Sequence, residues 1–129
     1  QLAKLASKTQ EQGQAPEYKP VKNAITYEQF TAMDIRIAQV LFAEPVPKTD
    51  KLLHLKVTIG LEERELVAGI AEHYKAEDII GKKIVMLVNL EPRKIRGILS
   101  QGMILAAEFD GVLSLLHPHK DLLPGATIQ

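Results

Sequence analysis

Apolar and polar residues alternate along much of the chain between residues 34 and 116, which is the period of half-buried β-strands. The clearest case is residues 53–59, where aliphatic residues occupy every odd position and His54, Lys56 and Thr58 fall between them. Similar runs predict further strands over 34–43, 64–71, 82–90, 102–107 and 112–116. The pattern therefore predicts five strands and a possible sixth.

The first predicted strand changes phase in its middle. Ile35 and Ile37 belong to one face, whereas Val40 and Phe42 belong to the other. Because successive side chains of a strand point to opposite faces, such a change predicts a β-bulge or a sharp bend.

Two short helices are predicted between and before the strands. Thr26 and Gln29 have the spacing of a capping box, which predicts a helix over about 27–32. A second helix is expected over 74–80, where Gly81 ends it.

The order of three strands, a helix and two more strands is typical of an OB-fold, the five-stranded Greek-key barrel. A bent first strand agrees, because closing a barrel requires strands to bend. We therefore predict an all-β fold: an OB-fold barrel with a short helix between strands three and four and with terminal extensions. Another small α+β domain is the alternative.

Residues 1–23 differ from the rest of the chain in composition. They are rich in Gln, Lys and Ala, and Gly13, Pro16 and Pro20 oppose a continuous helix. We interpret residues 1–23 as a linker from an upstream domain and residues 24–129 as the folded domain. Because residue 1 is Gln rather than Met, the chain is expected to be part of a longer polypeptide.

Charge and cysteine content exclude several classes of site. The 129 residues carry 16 bases and 16 acids, and setting aside residues 1–23 leaves 12 bases and 14 acids. A nucleic-acid-binding surface would therefore have to be a local patch rather than the whole domain. The chain has no Cys, which excludes disulfides and thiolate-ligated metals. No apolar run has the length of a membrane span.

Catalytic and metal-binding motifs are poor. No nucleotide-binding glycine motif occurs, and the spacing from Gly97 to Ser100 is one residue too long for a nucleophile elbow. His117 and His119 lack an evident third metal ligand. We expect no catalytic residue, no metal and no cofactor in this chain.

The one basic concentration lies between residues 82 and 96, which contain five bases and one acid, Glu91. It covers the loop between strands four and five, and the loop between strands one and two also carries lysine. In an OB-fold these two loops flank the oligonucleotide-binding face formed by strands two and three. The residues expected to bind phosphates are Lys51, Lys56, Arg93, Lys94 and Arg96. An ordinary solvated loop is the alternative.

Three neutral residues follow the basic run, where the loop re-enters strand five. Ser100 and Gln101 offer a hydroxyl and an amide for RNA, and the thioether of Met103 can pack on a sugar or base. The alternatives are that Ser100 only ends the loop and that Met103 points into the core. No aromatic residue falls on strands two and three, so an extended base-stacking platform is not expected.

Several motifs in order resemble one family. They are Asp34–Ala38, Asp50–Leu53, Val67–Ile70, Gly81–Lys83, Asn89–Ile95 and Ser100–Ala106. Together they resemble the tRNA-binding domain at the C-terminus of bacterial methionyl-tRNA synthetases. The same domain occurs as a stand-alone tRNA-binding protein and in the endothelial monocyte-activating polypeptide family. The resemblance covers about residues 25–129.

The resemblance implies an OB-fold, a homodimer and tRNA binding directed by shape and charge. It adds Asn89 to the expected tRNA-binding residues and implies a cytoplasmic module behind the catalytic body of a methionine–tRNA ligase. Apolar residues near both ends of the domain are expected to cover the dimer partner. They are Ile25, Phe30, Leu113, Leu115, Leu116, Leu122, Leu123 and Ile128.

The alternative function is a protein-binding module. Strands one and four also resemble an export-related chaperone of the same fold family, which would hold apolar segments in a dimer groove. Charge-based tRNA binding weakens with salt, so a salt titration distinguishes the two functions.

Overall fold

The computed structural model describes residues 16–129. Residues 1–15 of the predicted linker lie outside the described residues, and residues 16–23 contain no helix or strand. No described helix is long and apolar enough to span a membrane.

Eleven elements make up the described part. Two are the helices α1 (Tyr27–Thr31) and α2 (Ala76–Ile79). The strands are β1 (Ile35–Pro45), β2 (Leu53–Thr58), β3 (Glu63–Ala68), β4 (Lys83–Leu87), β5 (Arg93–Ile95), β6 (Ile98–Ser100), β7 (Met103–Ile104), β8 (Ala106–Phe109) and β9 (Val112–Leu115).

Local sequence signals explain the first helix and the bent strand. The Thr26 hydroxyl accepts a hydrogen bond from the Gln29 amide, and the Gln29 side chain accepts one from the Thr26 amide. This reciprocal pair is the predicted capping box. In β1 the pairing register with β2 shifts between Val40 and Phe42, which confirms the bulge.

The bend lets β1 pair with two different strands along its length. Its first half, from Ile35 to Gln39, pairs with β4, and its second half pairs with β2. The central sheet has the antiparallel order β3-β2-β1-β4-β7. Alternate residues of these strands point inward and form the core, and Ala76 and Ile79 of α2 join it from one end.

The barrel nearly closes between β3 and the segment that follows β6. The amide of Gln101 donates to the Glu65 carbonyl at 2.8 Å, and the Val67 amide donates to the Ser100 hydroxyl at 3.1 Å. The guanidinium of Arg64 donates to the Val88 carbonyl at 2.8 Å, which ties β3 to the end of β4. The architecture is the predicted OB-like barrel with a short helix.

Two parts of the prediction need correction. The expected loop between strands four and five contains the β5–β6 hairpin. The expected strand 102–107 is divided: Met103 and Ile104 pair with β4, whereas Ala106 begins a hairpin with β9. The possible sixth strand is therefore present, but it pairs outside the central sheet.

The C-terminal segment lies along β1. The Gly125 amide donates to the Ile37 carbonyl at 2.7 Å, and the Ile128 amide donates to the Ile35 carbonyl at 2.8 Å. Gly125 and Gly60 pack closely: a Cβ on Gly125 would lie 2.5 Å from the Ile59 carbonyl oxygen. The tail thus completes the hydrogen bonding of β1 on the half that β2 does not cover.

Candidate nucleic-acid interface

The β5–β6 hairpin presents the cations that the sequence analysis singled out. Arg93 and Lys94 lie on β5, and Arg96 occupies the two-residue turn with Gly97. All three cationic side chains belong to exposed residues. None of them forms an ion pair with a described carboxylate, so their charges are available to a ligand.

Lys51 lies at the same end of the barrel as this hairpin. Its carbonyl accepts from the amide of Ala71, just beyond β3, at 3.1 Å. The hairpin adjoins the same end of β3, because Ser100, the partner of Arg93, bonds Val67. The structure therefore brings Lys51 and the hairpin to one rim.

The outward face of β2 is different. Lys56 lies 3.5 Å from the carboxylate of Glu63, and the ring of His54 lies between Glu44 at 3.4 Å and Glu65 at 2.9 Å. Carboxylates thus balance the cation on this strand. Positive charge is concentrated at the rim rather than on the middle of the face, which leaves Lys56 the weakest of the five expected phosphate contacts.

Asn89 joins two elements through its side chain. Its amide oxygen accepts from the Asp34 backbone at 2.8 Å, and its amide nitrogen donates to the Ala32 carbonyl at 2.7 Å. The same junction holds Arg36, whose Nε lies 2.8 Å from the Asp34 carboxylate. The hydrogen bond and the charge of Asp34 raise the pKa of Arg36. Asn89 thus fixes the exit of α1 into β1.

Ser100 and Gln101 also serve the barrel itself. Ser100 is only 6% exposed, and its hydroxyl is engaged with Val67. The Gln101 side-chain oxygen accepts from the Glu65 amide at 3.3 Å. These positions favour the alternative that Ser100 only ends the loop, because closing the barrel against β3 buries its hydroxyl.

Met103 is placed as the contact hypothesis requires. It lies opposite Leu87 on β4 and is 44% exposed, which excludes the alternative of a buried core side chain. Leu99 on β6 is also exposed and lies opposite Lys94. The hairpin therefore combines cations with small apolar surfaces suited to sugar and base faces.

Phe42 is a candidate that the sequence analysis missed. It is 48% exposed and lies opposite Lys56 in the β1–β2 ladder. The bulge separates it from Val40, which is buried, so the expectation that Val40 and Phe42 share one face is wrong. It is an exposed aromatic ring beside the outward face of β2.

His117 and His119 lie elsewhere. They line an open groove of about 740 Å³ between α2, the start of β4 and the tail. Within residues 16–129, no group of three or more His, Asp or Glu residues is arranged to hold a metal ion.

Comparison with known proteins gives matches over most of the chain. A family model described as "Putative tRNA binding domain" matches residues 35–127. The methionine–tRNA ligase of Christiangramia forsetii is 48% identical over 132 aligned residues, covering 100% of this chain and 19% of that protein. That of Thermotoga maritima is 50% identical over 108 residues, covering 84% of this chain and 17% of that protein. The chain thus spans less than a fifth of the length of these curated relatives.

Solved structures agree with the fold. A crystal structure of a MetRS-related protein from Pyrococcus horikoshii has a TM-score of 0.79 and 34% identity, covering 84% of this chain and 100% of that chain. The chaperone CsaA from Bacillus anthracis has a TM-score of 0.75 and 31% identity, covering 83% and 100%.

Proposed function

The chain belongs to the family of tRNA-binding domains whose model matches residues 35–127, and from this premise we propose that it is a non-catalytic module that binds tRNA by charge and shape. The observation that carries the proposal is the β5–β6 hairpin, in which Arg93, Lys94 and Arg96 are exposed and have no described carboxylate partner. Such cations neutralise phosphates and release condensed counterions. The proposed contacts are thus backbone contacts that recognise the shape of a folded RNA more than its sequence.

The apolar surfaces beside the cations add contacts of another kind. Met103 and Leu99 can pack against sugar or base faces. Lys51 extends the basic rim on the other side of β3. Asn89, Ser100 and Gln101 support this site by holding the chain segments that carry it, rather than by touching the RNA.

We further propose that the module is appended to methionyl-tRNA synthetase. The relatives named methionine–tRNA ligase contain this chain as 16–19% of their length. Linked binding of tRNA raises its effective concentration at a catalytic domain in the same polypeptide. Since its ligand is tRNA in use for protein synthesis, the proposed location is the cytoplasm.

A homodimer is the proposed assembly. Ile25, Leu116, Leu122, Leu123 and Ile128 are exposed, which is unfavourable for apolar side chains unless another surface covers them. Two residues expected at the partner surface instead pack against the core of their own barrel, namely Leu113 and Leu115. The proposed dimer surface therefore consists of two terminal segments, one before α1 and the other after β9.

The test is tRNA binding at several salt concentrations. We expect Arg93→Ala with Arg96→Asn to weaken binding to all tRNAs about equally and to reduce the magnitude of the log-affinity against log-salt slope by about 1.4 to 1.8. Asn is chosen at position 96 because it tolerates the positive φ of 53° found there. The matched control is Lys82→Ala with Lys120→Asn, because both lysines line the groove at the start of β4, whereas the hairpin follows the other end of β4.

Equal affinity of the hairpin variant and the unaltered protein at low salt would contradict the site. A chain that binds no tRNA but holds unfolded apolar peptides would instead support the chaperone function, as in the similar CsaA structure.

A further inference from the structure

Two basic residues adopt a backbone conformation that their side chains disfavour. Among the described residues, non-glycine residues with positive φ are Lys48 at 64°, Arg96 at 53° and Asp110 at 56°. Asp is one of the residue types that tolerates this region, and Asp110 precedes Gly111 in an ordinary hairpin turn. Lys and Arg have no such advantage, so their positions require another explanation.

Lys48 occupies the third position of a turn formed by residues 46–49. The Thr49 amide donates to the Val46 carbonyl at 3.3 Å, and the Thr49 hydroxyl donates to the same carbonyl at 2.9 Å. Pro47 at the second position and a positive φ at the third are the features of a type II turn, whose third position favours Gly or Asn. The turn is anchored by Val46, which is buried, and does not depend on the Lys48 side chain.

Arg96 also has a positive φ, in the turn of the β5–β6 hairpin. With Gly97 at φ 81°, it forms the two-residue turn of the β5–β6 hairpin, where both φ values are positive. Asn-Gly is the favoured sequence for such a type I′ turn. In both loops, therefore, a long cation replaces the residue type that the turn geometry favours.

The two turns belong to loops that flank the same end of β3. The loop carrying Lys48 continues to Lys51, whose carbonyl bonds Ala71. The hairpin carrying Arg96 is attached through Ser100 to Val67. Loops in these two positions flank the ligand groove of an OB-fold.

We propose that Lys48 is a further RNA-contacting residue. Together with Arg96 it binds phosphates of an RNA segment that lies between the β1–β2 loop and the β5–β6 hairpin. This inference rests on the proposed tRNA binding and extends it to a residue outside the basic hairpin. The strained turn places the Lys48 backbone at the tip of its loop before RNA arrives. Gly or Asn would relieve the strain but would remove the charge.

The test is Lys48→Asn, with Lys48→Arg as the charge-preserving variant and Lys120→Asn as the control for the loss of one exposed lysine elsewhere. We expect Lys48→Asn to melt at or above the temperature of the unaltered protein. Its tRNA affinity should fall about five- to eightfold at 0.1 M salt, and its salt slope should decrease by about 0.7 to 0.9. Lys48→Arg and Lys120→Asn should keep near-normal affinity.

The outcomes separate this inference from the proposed function. Failure of the unaltered protein to bind tRNA would overturn both. If it binds and the Arg93→Ala, Arg96→Asn variant is weakened while Lys48→Asn is not, only the role of Lys48 is overturned. A loss of affinity in Lys48→Asn without a change of salt slope, or an equal loss in Lys120→Asn, would also overturn it.

Discussion

Polar side chains between residues 89 and 103 fall into two groups: those that hydrogen-bond to the protein backbone and exposed cations that do not. Asn89, Ser100 and Gln101 are engaged with backbone groups of other elements. Arg93 and Lys94 have no such partner among described residues and extend into solvent. A satisfied polar group supports the fold, whereas an unpaired exposed cation remains free to meet a phosphate.

Ser100→Ala is expected to lower stability rather than RNA contact. The substitution leaves the Val67 amide without its hydroxyl acceptor at a half-buried position, which costs about 1–3 kcal/mol. Urea unfolding measures the change, and tRNA binding of the folded variant should keep its salt slope because no charge is lost. Ser114→Ala is the control, because that hydroxyl is exposed and bonds only the next residue.

A Ser100→Ala variant as stable as the unaltered protein would contradict this role. Weaker tRNA binding at unchanged stability would restore the hydroxyl as an RNA contact.

At the level of elements, the C-terminal tail behaves as an additional edge of the sheet. It bonds β1 at Ile35 and Ile37, and its approach depends on Gly125 meeting Gly60. Gly125 has φ 98°, where only glycine is comfortable, and a Cβ there would collide with the carbonyl of Ile59. Backbone contact as close as this cannot be relieved by a rotamer change.

Gly125→Ala should therefore detach the tail from β1. We expect faster hydrogen exchange at the Ile37 and Ile128 amides and a loss of stability of more than about 1 kcal/mol, because steric conflict adds to the cost of the positive φ. Gly111→Ala is the matched control, since Gly111 has φ 81° but open space around its Cβ position. Unchanged exchange at both amides in Gly125→Ala would refute the docking of the tail.

For the whole molecule, the proposed RNA site and the proposed dimer surface lie in different places. The cations of the proposed RNA site lie at the rim made by the β5–β6 hairpin and Lys51. The exposed apolar residues proposed to face a second copy lie in the terminal segments, such as Ile25 and Leu123. Separate surfaces allow two copies to associate while both basic rims stay accessible to RNA.

Leu123→Asp is expected to disrupt the dimer. Leu123 is 81% exposed, so the substitution leaves the single barrel intact, but a carboxylate in an apolar interface is costly to desolvate. Sedimentation at tens of micromolar protein should show the mass of a dimer for the unaltered protein and the mass of a monomer for the variant. Leu99→Asp, at an exposed position of the β5–β6 hairpin outside both terminal segments, should remain a dimer. Single-chain mass for the unaltered protein would refute the assembly.

Features that depend on residues close together in the chain could be predicted from the sequence. The capping box of Thr26 and Gln29 and the bulge after Val40 involve contacts or phases within a few positions, so their pattern is visible in the chain. The alternation in residues 53–59 likewise identified the buried side of β2. These local signals, in their order, were sufficient to predict the OB-like barrel.

The sequence by itself thus determined the barrel, the basic run at residues 93–96 and the family to which the motifs point. Only the tertiary structure decided which polar residues are free. Asn89 meets Asp34 across 55 positions and Ser100 meets Val67 across 33, and no local pattern encodes such pairs. The physical reason is that barrel closure buries Ser100 and the pairing of β2 with β3 brings Lys56 to Glu63, while the hairpin cations and Lys48 stay exposed to solvent.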